Sequence, residues 1–260
     1  MRCPKCEAEQ PDGDILCRRC GIVFEKYYKY HPRPGDCPVS SAPRATRSDE
    51  PEGGAQGAAG TPGLRELLFP AVLRGDWPAL IARGLLWALL TWWGLSLMSS
   101  SVASNAAGAS FLHLVNLPFH EFGHLLFRPF GDFMASLGGT LGQLLMPAIC
   151  LGVLLVRTRD PFGASVALWW LGESFLDIAP YIADARAGVL PLLGGNLGHS
   201  APYGFHDWEY LLTETGLLGM DHTLARASFA LGCFIMLAAL AWGAVLLRGQ
   251  YRAAIQPRLT

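Results

Sequence analysis

The chain has 260 residues, of which 51% are hydrophobic and only 16% are charged, and its formal net charge is −1. Soluble domains carry about 25% charged residues, so this composition is typical of a membrane protein with a polar extension. The near-zero net charge offers no electrostatic basis for binding nucleic acid, and we expect no nucleic-acid partner. The start, Met1-Arg-Cys-Pro-Lys-Cys6, lacks the apolar core of a cleavable signal peptide.

Four of the seven cysteines form two Cys-x-x-Cys pairs within the first twenty residues: Cys3, Cys6, Cys17 and Cys20. Two such pairs supply the four thiolates of a tetrahedral zinc site. Residues 1–30 are therefore predicted to form a short zinc ribbon with one structural zinc ion, in which Gly13 and Gly21 fall where tight turns are needed. The alternative, a pair of disulfides, needs an oxidising compartment. Zinc coordination instead places the N-terminus in the cytosol.

The ribbon is followed by a segment rich in Pro, Gly, Ala and Ser, residues 31–63, which we predict to be a disordered linker. Residues 64–260 are predicted to form a helical membrane domain. Its first part, 64–75, has leucines at helical spacing and flanking arginines, and we expect a short helix on the membrane surface.

Long apolar segments then predict an α-helical polytopic membrane protein with four or five membrane segments, since each segment has close to the 20 residues needed to cross. Two alternatives stay open for the third segment. It either crosses fully or forms a re-entrant hairpin, which would keep Arg157 and Arg159 in the cytosol. The segments are roughly 78–98, 110–127, 134–156, 160–183 and 224–247, with a polar stretch at 185–222.

The most informative motif is His120-Glu-Phe-Gly-His124, which lies inside the second apolar segment. Positions i and i+4 share one helix face, so His120 and His124 can hold one metal ion. Glu121 lies where a carboxylate can act as general base. Ionisable groups in hydrocarbon are costly unless they are paired or bind a metal, and a metal site is therefore predicted here.

A catalytic zinc ion usually has three protein ligands and one open position. The sequence leaves several candidates for the third ligand open: Asp177 and Asp184 in the fourth segment, and His199, His206 and Asp207 in the polar stretch.

These motifs resemble the site-2 protease class of intramembrane zinc metalloproteases. The resemblance covers roughly residues 111–186: His120, Glu121, Gly123 and His124 match that family's motif, and Ser136-Leu-Gly-Gly139 looks like its Gly-rich stretch. The family's third ligand lies in an Asn-x-x-Pro … Leu-Asp-Gly pattern, from which this chain departs. Its closest match is Pro180 followed by Asp184, so the resemblance favours Asp184.

The resemblance implies a second, catalytic zinc ion, Glu121 as general base, and hydrolysis of peptide bonds in membrane-embedded protein substrates. One alternative is a catalytically silent membrane scaffold or adaptor whose ribbon binds a partner. A further alternative is a membrane metallohydrolase that acts on a non-peptide bond. The ribbon resembles modules at the N-termini of many bacterial membrane proteins, and we expect the bacterial inner membrane as the location.

Overall fold

A computed structural model describes residues 2–11, 14–20, 22–30, 63–70, 76–193 and 195–255. The chain divides into two compact units, Met1–Ala58 and Ala59–Thr260. This boundary falls inside the predicted linker, most of which lies outside the described residues. The two units are treated separately below.

The N-terminal unit consists of two similar knuckles, each built around one Cys-x-x-Cys pair, followed by helix α1 (Phe24–Tyr30). In each knuckle the N–H of the first cysteine donates to a carbonyl beyond the second cysteine, and an isolated antiparallel bridge closes the turn. The bonds are Cys3 to Ala8 and Cys17 to Ile22, and the bridges are Arg2–Glu9 and Leu16–Val23. Gly13 and Gly21, for which tight turns were predicted, lie outside the described residues.

A small core holds this unit together. Phe24, Cys3 and Cys17 are its buried members, and Ile22 and Tyr28 pack against them. So few apolar side chains cannot stabilise a unit of this size without a cross-link or a metal.

The second unit is helical, and no β-strand occurs among its described residues. The helix expected over residues 64–75 is present as the short helix α2, which is five residues long. Residues 69–70 are not helical, and residues 71–75 lie outside the described part of the chain. The helices are α2 (Leu64–Leu68), α3 (Trp77–Met98), α4 (Phe111–Phe127), α5 (Asp132–Gly152), α6 (Pro161–Ala183), α7 (Asp207–Glu214) and α8 (Asp221–Ile255).

Three described helices are long and apolar enough to cross a membrane: Trp77–Met98, Asp132–Arg157 and Leu218–Ile255. This number is lower than the four or five segments expected from the sequence. Helix α4 has only 17 residues, and α6 contains Glu173 and Asp177. The third predicted segment is a continuous helix that ends in a π-helical turn, Val153–Arg157, rather than a hairpin.

The distribution of apolar and polar residues in this unit is typical of a membrane protein. Large apolar side chains point outwards: Leu85 is 68% exposed, Trp92 70%, Leu125 64% and Phe234 70%. Polar side chains, in contrast, are buried in the interior: Asn116, Gln143, Glu173 and Asp177. A water-soluble protein rarely exposes so much contiguous apolar surface, whereas lipid favours it.

Helices α3, α6 and α8 form the main apolar core, in which Leu90, Trp169, Leu176 and Met236 are buried. Helices α4 and α5 meet differently, because Gly123 and Gly138 bring their backbones into direct contact. A Cβ atom on Gly123 would overlap the Gly138 carbonyl. Small residues allow such close approach of helices within a membrane, and here they fix α5 against the face of α4 that carries the histidines.

Candidate metal centre

One face of α4 carries the histidine motif. Helix α4 continues through Pro118 without interruption, so the helical spacing of His120 and His124 is kept. His120, Glu121 and His124 each offer a ligand atom, and these atoms lie within 4.8 Å of one another. Both histidine rings are half-buried, and their centroids are 4.8 Å apart. Local helix geometry therefore brings the two rings together.

Each ring is held through its Nδ1 atom. His124 Nδ1 lies 2.8 Å from the backbone carbonyl of Ala135, and His120 Nδ1 lies 3.3 Å from Oε1 of Gln143. A carbonyl oxygen can only accept, so the Nδ1 atom of His124 must donate. The Nε2 lone pair of a histidine held in this way is free to bind a metal.

A carboxylate from a distant part of the chain completes the group. Oδ2 of Asp207, the first residue of α7, lies 3.1 Å from His120 Nε2 and 3.3 Å from His124 Nε2. Two ligand atoms, each about 2.0–2.1 Å from a tetrahedral zinc ion, lie about 3.3 Å apart. The two distances from Asp207 to the histidine nitrogens therefore fit ligands of one zinc ion.

Asp207 is fixed by neighbours on two other helices. Ser136 of α5 donates to Asp207 Oδ1 at 3.1 Å, and the hydroxyl of Tyr181 on α6 accepts from the Asp207 N–H at 3.1 Å. Burial acts to raise the pKa of Asp207, but hydrogen bonds to His120 and His124 outweigh burial and lower the pKa to about 2. The carboxylate is therefore ionised at neutral pH, as a metal ligand must be.

The other candidates for the third ligand have different partners. The structure does not bring Asp184, favoured by the resemblance, to the histidine pair, because its two oxygens accept from the backbone N–H groups of Val189 and Leu190 at 2.9 and 3.0 Å. His206 caps α7 by accepting from Glu209 through Nδ1, and its Nε2 lies 3.4 Å from Asp184. Burial lowers the pKa of His206 and keeps it neutral.

Asp177 belongs to a separate buried cluster. Its carboxylate accepts from Asn116 at 3.0 Å and from Gln143 at 2.7 Å, and Oδ1 lies 2.9 Å from His113 Nδ1. Gln143 also contacts His120, so this cluster is connected to the histidine pair through one amide.

A glycine makes room for the converging ring atoms. A Cβ atom on Gly139 would lie 2.5 Å from His120 Nε2 and 2.6 Å from His124 Nε2. Any side chain here would occupy the space where the two nitrogens meet. Together with the spacing to Asp207, this clearance shows that the residues present fit a metal ion.

A cavity of about 370 Å³ opens beside the centre. His120 and Glu121 line this cavity, together with the loop segment 190–193. Glu121 therefore borders a space that can admit a water molecule and part of a substrate.

Residues outside the motif, Asn116, Ser136, Gly139 and Gln143, also contribute to this arrangement. A sequence signal was available for the α4 members, since His113, Asn116, His120 and His124 lie three or four residues apart on one helix face. For Gln143 the sequence shows only an isolated amide in an apolar segment, which does not by itself predict a contact with His120.

The cysteines of the N-terminal unit form a second group. Their four sulfur atoms lie within 4.8 Å of one another, and the Cys3–Cys20 and Cys6–Cys17 distances are 3.7 and 3.6 Å. Thiolates about 2.3 Å from a tetrahedral zinc ion lie about 3.8 Å apart. Burial acts to raise the pKa of Cys17, but hydrogen bonds from the Cys20 N–H and from Gln10 lower it to about 5. The cluster could therefore hold a metal ion.

Comparison of the chain with family models, with curated proteins and with solved structures gave no match.

Proposed function

We propose that the chain is an intramembrane zinc metallopeptidase of the site-2 protease type, which hydrolyses peptide bonds of membrane-embedded substrates. The observation that carries the proposal is the convergence of His120 Nε2, His124 Nε2 and Asp207 Oδ2 beside a cavity that Glu121 lines. Asp207 takes the place of Asp184 as the third ligand. This ligand set, two histidines and one carboxylate, is one that catalytic zinc uses.

Zinc, when bound, would act as a Lewis acid that polarises a substrate carbonyl and a water molecule. Glu121 accepts the proton of the attacking water and delivers it to the leaving amine nitrogen. Ser136 and Tyr181 hold Asp207, and the Ala135 carbonyl and Gln143 orient the histidines. Because the centre lies among buried polar groups within the helical unit, the substrate bond must be presented in an unwound segment.

The outer wall of the cavity favours an apolar substrate segment. Leu117 and Ile178 contribute to the wall, as do the leucines of 190–193. The peptide backbone of such a segment carries the bond to be cleaved, while its apolar side chains would contact these leucines.

The N-terminal cysteines are proposed to hold a structural zinc ion, because the spacing of the sulfur atoms fits that metal. Free thiolate ligands favour a reducing compartment, and this supports the proposal of a cytosolic N-terminus. The bacterial inner membrane is proposed as the location because of the resemblance of the ribbon alone. The ribbon would then present a partner-binding surface on the cytosolic side.

The first experiment counts zinc ions per chain in full-length protein purified in detergent, for the wild type and for His120→Ala. Two zinc ions in the wild type and one in the variant would support the proposed centre. Equal zinc content in both proteins would contradict it and leave the scaffold alternative, in which the ribbon holds the metal. Hydrolysis of an ester- or amide-linked lipid, but of no membrane peptide, would instead favour the non-peptide hydrolase.

A further inference from the structure

The buried cluster around Asp177 has a fixed hydrogen-bond direction. It begins at the indole N–H of Trp170, which can only donate and lies 2.8 Å from Oδ1 of Asn116. The amide nitrogen of Asn116 must then donate, and it does so to Glu173 and Asp177, both at 3.0 Å. Asp177 is thus placed as an acceptor in the interior, where it is 6% exposed.

The same logic fixes the amide of Gln143. The NH₂ of Gln143, which can only donate, lies 2.7 Å from Asp177 Oδ2 and donates to it. Oε1 of Gln143 is thereby turned towards His120 Nδ1. This oxygen can only accept, so Nδ1 of His120 must donate to it. Nε2, which faces Asp207 Oδ2 at 3.1 Å, is then the ring atom that would bind a metal.

We propose that Asp177 is a positioning residue for the metal centre: it orients the Gln143 amide, which in turn keeps His120 Nε2 available as a ligand. The inference rests on the proposed metal site but assigns a role to a residue that does not touch it. If Gln143 presented its NH₂ to His120 instead, Nδ1 would have to accept, and the proton would move to Nε2 and block the ligand atom.

Glu173 supplies a matched control. It lies four residues before Asp177 on α6, is fully buried and accepts from the same Asn116 amide. Among the described residues, Glu173 forms no hydrogen bond with Gln143. Replacing the carboxylate by an apolar side chain of similar size at 173 or at 177 thus perturbs one cluster in two places, and only one of them orients Gln143.

The test measures the zinc Kd of the intramembrane site by chelator competition in full-length protein, with His120→Ala defining the signal of the ribbon. Asp177→Leu, which removes the acceptor, and Gln143→Met should raise the Kd about 10–100-fold, the usual cost of changing an outer hydrogen-bond partner of a metal ligand. Glu173→Met should leave the Kd within about twofold.

A second substitution at position 177 separates orientation from general damage. In Asp177→Asn the amide oxygen can still accept from Asn116 and Gln143, while its NH₂ faces His113 Nδ1, which can accept. The Gln143 amide keeps its direction, so the Kd should stay within about threefold of the wild-type value. Circular dichroism and thermal melting confirm that each variant is folded.

The inference is overturned if Asp177→Leu and Gln143→Met bind zinc as tightly as the wild type, if Glu173→Met weakens zinc binding as much as Asp177→Leu, or if Asp177→Asn is as weak as Asp177→Leu. These results leave the proposed function intact when His120→Ala loses a zinc ion. If His120→Ala loses none, the proposed centre and the role of Asp177 fail together.

Discussion

Oδ2 of Asp207 lies 3.1 Å from Nε2 of His120, although 87 positions separate the two residues in the chain. The contact joins the first residue of α7 to the middle of α4, and Ser136 of α5 holds the carboxylate from a third helix. Three elements must therefore be packed correctly before this group of atoms exists. The predictions below test the parts of this arrangement one at a time.

Glu121→Gln should abolish hydrolysis and leave zinc binding unchanged. The amide keeps the shape of the side chain but cannot accept a proton from water, and loss of a general base costs about 10²–10⁴-fold in rate. The measurement pairs zinc content with cleavage of a reconstituted membrane-peptide substrate. A variant that cleaves at the wild-type rate would show that Glu121 is not the base.

Asp207→Asn and Asp184→Asn should differ in their zinc content. Asp207 Oδ2 faces both histidines, whereas the oxygens of Asp184 accept from backbone N–H groups. We expect Asp207→Asn to lose the intramembrane zinc ion. Asp184→Asn should keep it and lose about 1 kcal/mol of stability with one hydrogen bond. Zinc content and thermal melting of both variants decide between the two aspartates, and the reverse result would restore Asp184 as the ligand.

Gly139→Ala should weaken the intramembrane site by at least about tenfold, since its Cβ would force the rings away from the Nδ1 acceptors that orient them. Gly152→Ala, at the other end of α5, is the matched control, because its Cβ would meet nothing within 4 Å. Zinc Kd values of the two variants give the comparison. Equal Kd values would mean that the space beside Gly139, which a Cβ atom would fill, is not needed for zinc binding.

Gly123→Ala should destabilise the contact between α4 and α5. Its Cβ would overlap the Gly138 carbonyl, and overpacking of this kind costs about 1–3 kcal/mol. Gly84→Ala, on α3, adds a Cβ in open space and should change the stability little. Thermal unfolding in detergent measures both changes. An equally small change at both positions would indicate that the two helices can separate without cost.

A predominantly helical membrane protein and a cysteine cluster that could hold a metal were predictable from the sequence, because both depend on local features. The number of spans was predicted less well. Helix α4 is short, and α6 carries two buried carboxylates that accept hydrogen bonds from Asn116 of α4 and Gln143 of α5. Such partners come from other helices, and a hydropathy pattern does not report them.

The sequence by itself determined that His120 and His124 share a helix face, because the period of an α-helix is fixed by its backbone. It left five candidates for a third ligand, all of them polar residues near the end of α6 or in the segment beyond it: Asp177, Asp184, His199, His206 and Asp207. Only the tertiary structure determined which groups surround each of these side chains. The segment between α6 and α7 folds so that Asp184 accepts hydrogen bonds from backbone N–H groups, whereas Asp207 contacts the two histidines. The path of this segment depends on packing across many residues rather than on local spacing.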